Sequence, residues 1–197
     1  MKTKYFSILS LLTFLTGCHE SFSIPQKNET SIVPVTCIQC RIFLSQTSVD
    51  GGFGGAAGAD LICANDPNKP STGIYKALLM DNTRNQTTNW VLKANQVYYR
   101  GDGTTLLGTT NPSAIFSLAS GQHINNCFSD DFEYFWTGIE VDSEFVWSMT
   151  NNCSHWTSSS SGVLGHLADT ISTDYVAISS NDDTCNTNFY RILCVEQ

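Results

Sequence analysis

Basic residues are scarce in this chain. Ten Lys and Arg stand against eighteen Asp and Glu in 197 residues, a formal net charge of −8. A protein so short of cations is poorly suited to phosphate or sulfate polymers, which sets aside nucleic acid and heparin-like polyanions as partners. Histidine is sparse too, with none between His19 and His123. The glycine cluster Gly51-Gly52-Phe53-Gly54-Gly55 is not followed by Gly-Lys-Ser/Thr, so it is not a phosphate-binding loop. His123, His155 and His166 have no Gly-x-Ser-x-Gly or His-Glu-x-x-His companion. A hydrolase would need His155 or His166 gathered with an acid and a serine in one pocket. Nothing local predicts that gathering, so the expectation is a protein that is not an enzyme and carries no cofactor. Internal repeats are absent.

Long hydrophobic runs are missing as well. The apolar stretch from Tyr5 to Leu15, behind Lys2 and Lys4, is too short for a membrane span and reads as an export signal. It ends in Leu15-Thr16-Gly17-Cys18, which resembles a bacterial lipobox. That resemblance implies cleavage after residue 17, acylation of Cys18 and anchoring in a membrane through lipid, where two or more acyl chains hold far better than one. His19 stands where an Asp would favour the inner membrane, so the expected location is the outer membrane or cell surface. Loss of residues 1–17 removes Lys2 and Lys4 and no acid, taking the net charge to −10. Residues 18–36 are polar, contain Pro25 and Pro34 and show no period, and read as a tether. The folded domain is expected over residues 37–197.

Within that domain, Arg41–Ser45 reads as a first strand, and the glycine cluster leads into an apolar helix through Cys63 that stops near Asp66-Pro67. Gly73–Met80, Trp90–Leu92 and Val97–Tyr99 read as strands, with a turn at Gly101-Asp102-Gly103. Asn111–Leu118, with Pro112 in its first turn, predicts a second helix. Phe135–Ile139 and Phe145–Trp147 alternate like half-buried strands, and Phe189–Val195 reads as a terminal strand. The class that follows is mixed, loop-rich α+β.

Three segments carry a resemblance to a known family: Gly58–Cys63 with Gly73–Leu79, Asn152-Cys153-Ser154-His155-Trp156, and Cys185 followed by Tyr190–Glu196. Together they resemble the endostatin domain, which has a C-type-lectin-like fold. Phe135-Trp136-Thr137-Gly138-Ile139 is similar to the core strand of that fold. The chain looks closer still to an uncharacterised family of bacterial exported endostatin-like domains, over roughly residues 40–197. The resemblance implies a mostly antiparallel sheet with two helices and a nested disulfide pattern, Cys63 with Cys194 and Cys153 with Cys185. Spacing alone cannot choose a pairing. Cys37, Cys40 and Cys127 remain, with every pairing among the three open and one thiol left over; Cys37 and Cys40 are expected in disulfide use rather than in a redox or zinc half-site.

The family's ligand chemistry does not carry over. The calcium motifs of sugar-binding C-type lectins, Glu-Pro-Asn or Gln-Pro-Asp with Trp-Asn-Asp, are absent, and Trp156 is followed by Thr157-Ser158. Endostatin's histidine-rich zinc site and basic face have no counterpart. Asp130-Asp131-Glu133, Asp142-Glu144 and Asp182-Asp183 read as solvated acidic loops, so no metal is expected. Arg100-Gly101-Asp102 spells a tripeptide used in cell adhesion, at a place where a hairpin turn is expected anyway.

What remains is a binding module recognising a protein or a glycan without the usual calcium-dependent site. Its candidate surface is Asn151 to Leu167, with Asn151, Asn152, His155 and His166, together with Trp90 as an exposed aromatic. Trp136 and Trp147 read as core. The alternative is a structural envelope lipoprotein whose partners are other envelope components.

Overall fold

The computed structural model describes residues 37–197. The export signal, the lipid-bearing Cys18 and the tether expected over residues 1–36 lie outside the described residues.

The chain enters as a strand, β1 (Cys40–Leu44), and leaves as one, β10 (Leu193–Glu196), and these two pair antiparallel with Phe43 opposite Cys194. Around them a five-stranded sheet is ordered β2-β10-β1-β3-β4, adding β2 (Tyr75–Ala77), β3 (Val97–Arg100) and β4 (Leu106–Thr109). Among the described residues of this sheet, only the β1–β3 pair is parallel. A second sheet, β5-β8-β9, is built from β5 (Tyr134–Trp136), β8 (Leu164–Asp169) and β9 (Asp182–Thr184). A ribbon of β6 (Ile139–Val141) and β7 (Trp147–Met149) completes the strands among the described residues. The architecture is mixed α+β with mostly antiparallel pairing.

Helix α1 (Gly55–Asn65) begins where the glycines predict, with Gly54 and Gly55 at φ of 92° and 75°. A glycine before a helix cannot cap it with a side chain. Asp81 does so from a distance in sequence, its Oδ2 accepting the Ala56 N–H at 2.8 Å. The helix is then clamped to the sheet by Arg84, which is 4% exposed. Its guanidinium donates to both Asp60 carboxylate oxygens, at 2.8 and 2.6 Å, and to the Ala77 carbonyl at 2.8 Å. Asp66 closes the helix end by accepting from the Gln46, Thr47 and Asn68 N–H groups.

Two apolar clusters form the core. One joins Ile42, Leu78, Tyr98, Phe116, Phe128, Phe135 and Trp147. The other packs α1, through Ala56, Ala59 and Cys63, against Trp136, Trp156, Leu167, Cys185 and Cys194. Both long-range disulfides, Cys63–Cys194 and Cys153–Cys185, lie in this second cluster. Cys37 pairs with Cys40, and Cys127 has no disulfide partner among the described residues.

Several sequence expectations need correction. Asn111–Leu118 is not a helix. The Asn111 side chain accepts from the Ser113 and Ile115 N–H groups, and Ala114 turns left-handed at φ 58°, so a side-chain-held turn replaces helical bonding. The second helix is instead the short α2 (Cys153–Trp156). The strand read over Gly73–Met80 survives only as β2, and Trp90–Leu92 forms no strand. Leu164–Leu167, part of the expected candidate surface, belongs to β8.

Candidate functional site

Helix α2 is unusual in its handedness. Cys153, Ser154, His155 and Trp156 have φ of 50°, 54°, 61° and 63°, so four consecutive residues with side chains sit in the left-handed region. Each costs roughly 1–2 kcal/mol against a right-handed conformation. The turn persists because its surroundings over-determine it. Cys153 is tied to Cys185, and the buried Trp156 donates from Nε1 to the Met80 carbonyl at 3.0 Å. Phe53 stacks on Trp156 at 5.2 Å between ring centroids, and the Gly54 N–H donates to the Trp156 carbonyl at 2.9 Å. Asn152 caps the turn, its Oδ1 accepting the His155 N–H at 3.0 Å.

Close approach makes two glycines obligatory behind this turn. A Cβ at Gly51 would lie 2.2 Å from Cys153 Sγ, and one at Gly165 would lie 2.6 Å from both Cys153 Sγ and Trp136 Cζ3. The anchored ends are buried while Ser154 and His155 face solvent. Beside them a hollow of about 300 Å³ is lined by Gly54, Gly55, Asp81, Thr83, Ser154 and His155.

Asn151 and Asn152 connect this turn to the β8–β9 ribbon. Asn152 bridges to Gly165, and the Asn151 carbonyl accepts the His166 N–H at 2.8 Å. His166 lies directly opposite Asp182 in the antiparallel register, which brings their side chains to one face. Its Nδ1 is 2.6 Å from Asp182 Oδ1, and its Nε2 is 3.0 Å from Ser179 Oγ. The Asn151 amide donates to Asp182 Oδ2 at 2.8 Å. Hydrogen bonds thus join Asn152 to His155 and Asn151 to His166, with Asn151 and His155 exposed and Asn152 buried. His155 itself is exposed, and Asn152 rather than His155 does the capping.

Trp90 does not join that face. It is half-buried, donates from Nε1 to the Ala114 carbonyl at 2.8 Å and meets Trp147 edge-on, so it is packing rather than an exposed platform. Trp136 and Trp147 lie in the core. Sequence reasoning missed Ser179 altogether and read Asp182 as a solvated acid. Only the long-range pairing of β8 with β9 puts them beside His166, and nothing local encodes that register.

The Arg100-Gly101-Asp102 tripeptide forms the β3–β4 turn with both charged ends engaged. The Arg100 guanidinium donates to the Cys127 carbonyl at 2.6 Å and to Asp130 at 2.9 Å, and lies 3.0 Å from Cys127 Sγ. The Asp102 carboxylate accepts from the Thr104 and Thr105 N–H groups and the Thr105 hydroxyl, bonds that hold its pKa down to about 2. Asp102 remains exposed while its carboxylate is bonded within the turn. A larger hollow of about 500 Å³ lies between this turn and the acidic loop, and its two arginines are already paired, Arg100 with Asp130 and Arg191 with Glu133. Among the described residues no group of three or more His, Cys, Asp or Glu is placed to hold a metal ion.

The fold and face define a disulfide-stapled mixed α+β domain. Residues 46–173, more than half the chain, match the family described as "Protein of unknown function (DUF1554)", and the chain belongs to that family. No curated protein matches it.

Proposed function

We propose that the chain is a lipid-tethered recognition module of the endostatin and C-type-lectin-like type, displayed on the bacterial outer membrane or cell surface. It recognises a protein or glycan without the calcium site of sugar-binding lectins. Pairing of the first and last strands, the helix clamped against that pair, and the nested bridges Cys63–Cys194 and Cys153–Cys185 support the fold reading. The lipobox-like sequence ending at Cys18 supports the tether.

One observation carries the functional reading: the strained left-handed turn at Cys153–Trp156. A chain retains such strain where the surrounding structure enforces it, and such sites are disproportionately functional. Here the buried half is fixed by a disulfide and a tryptophan, while the other half presents Ser154 and His155 to solvent beside Asn151 and Asn152. The surface is therefore preorganised, which lowers the entropy lost when a ligand binds.

The test is an array of glycans and matrix proteins probed with the purified full-length chain, in calcium and in chelator. Binding that is equal in both conditions and at least about tenfold weaker for His155→Ala is expected, a loss of roughly 1.4 kcal/mol. No ligand on the array, with envelope proteins recovered by crosslinking in cells, would favour the structural envelope role instead.

A further inference from the structure

The His166 cluster supports chemistry as well as recognition, and the case for it does not depend on the binding reading. Three side chains stand in a line: Asp182 Oδ1 lies 2.6 Å from His166 Nδ1, and His166 Nε2 lies 3.0 Å from Ser179 Oγ. That order is the one in which a carboxylate fixes the imidazole tautomer and the free ring nitrogen accepts a hydroxyl proton. The supports are rigid. The His166 N–H donates to Asn151, and its carbonyl accepts from the Thr137 and Gly138 N–H groups at 3.0 and 3.2 Å. Asn151 holds the second oxygen of Asp182 at 2.8 Å, so the carboxylate cannot swing away freely. Ser179 follows the 3₁₀ turn Tyr175–Ala177, and its own N–H is bonded to the Tyr175 carbonyl.

We propose that Ser179, His166 and Asp182 form a nucleophile–base–orienter triad acting on small acyl esters. Ser179 Oγ bonds to the acyl carbon as its proton passes to His166 Nε2. The alcohol leaves, taking that proton. Water then attacks the acyl-serine, with His166 again moving the proton, and releases the acid and the free serine. Exposure sets the substrate class. Ser179 is only 7% exposed and the His166 side chain 12%, so the acyl group must be short, on the scale of acetyl, while the alcohol portion stays outside. The rate is expected to be low, because the N–H groups of Ser179 and Ser180 are committed to the Tyr175 and Leu167 carbonyls. An oxyanion lacking such donors loses on the order of 10²–10³ per donor in rate. Covalent capture is therefore a better readout than turnover.

The experiment treats the full-length protein with methanesulfonyl fluoride, whose methanesulfonyl group is close to acetyl in size, and locates adducts by peptide mass spectrometry. The fluoride leaves as Ser179 Oγ bonds to sulfur and the hydroxyl proton passes to His166. An adduct is expected on Ser179 and not on Ser158, Ser159, Ser160 or Ser180, with none on the urea-unfolded protein. Asp182→Asn and His166→Gln should each slow labelling by about 10²-fold or more. Absence of an adduct on folded wild-type Ser179, or equal labelling of native and urea-unfolded protein, would overturn the proposal without variants. Labelling of Ser179 at an undiminished rate in folded His166→Gln would overturn it as well.

Discussion

Arg84 shows how much one side chain can hold together. It joins α1 to the end of β2 through Asp60 and the Ala77 carbonyl, and it does so almost wholly out of water. Removing one partner of such a pair leaves the other charge and a carbonyl stranded, at about 3–5 kcal/mol. Arg84→Ala should lower the urea unfolding free energy by roughly that amount, read from equilibrium denaturation; a loss within experimental error would show the clamp to be incidental. Asp66 and Asp81 act in the same region. Burial opposes their ionisation, but hydrogen bonds from Gln46, Thr47 and Asn68 to Asp66, and from Thr83, Ala56 and Arg84 to Asp81, outweigh it and lower both pKa values. A depressed carboxylate stabilises the folded state above its unfolded pKa, about 4 for Asp, and that contribution disappears as pH falls through the folded value. The melting temperature should therefore drop as pH falls below about 4, and Asp81→Asn should flatten part of that decline. An unchanged slope in Asp81→Asn would contradict the assignment.

Among the elements, the left-handed turn and the β8–β9 ribbon carry the proposed binding surface, and they were the least legible. Helix α1 could be read because a glycine pair precedes a run of small apolar residues, a purely local signal. The segment Asn111–Leu118 carried a similar local signal and misled, because the Asn111 side chain competes for the N–H groups that a helix would use. Cys153-Ser154-His155-Trp156 contains no glycine, so nothing in its composition announces positive φ. Its conformation is imposed by packing from Gly51, Phe53 and Gly165 and by the bond to Cys185. Removing that bond should release the strain. In Cys153→Ser/Cys185→Ser, loss of the 32-residue separation's closure is worth about 3–4 kcal/mol in the chain-entropy model. Amide exchange of Trp156 and Thr157, which donate to Asn152 and Cys153, should rise more than that of β1 and β10. Uniform acceleration across the domain would instead mean that the turn has no separate stability.

On the scale of the whole molecule, ends and staples define the domain. The Cys63–Cys194 bridge, with a sequence separation of 131, links helix α1 to the last strand, and β10 is paired on both sides by β1 and β2. The pairing of these cysteines could be anticipated only through family resemblance, since eight cysteines in a chain leave many connectivities open. The α+β class was readable from the alternation of apolar patterns. Sheet order was not, because it depends on contacts between residues far apart, such as Phe43 with Cys194 and His166 with Asp182. Asn151, Ser154 and His155 are exposed, so this part of the surface carries an amide, a hydroxyl and an imidazole rather than carboxylates alone. Such a surface suits hydrogen bonding to hydroxyl-bearing or peptide ligands. The proposed calcium-independent binding at this preformed surface can be measured as the affinity of the full-length protein for its array ligand in calcium and in chelator, beside His155→Ala. Equal wild-type affinity in both conditions and a loss of about tenfold or more in the variant is the predicted result. Binding abolished by chelator, or unchanged by His155→Ala, would contradict it.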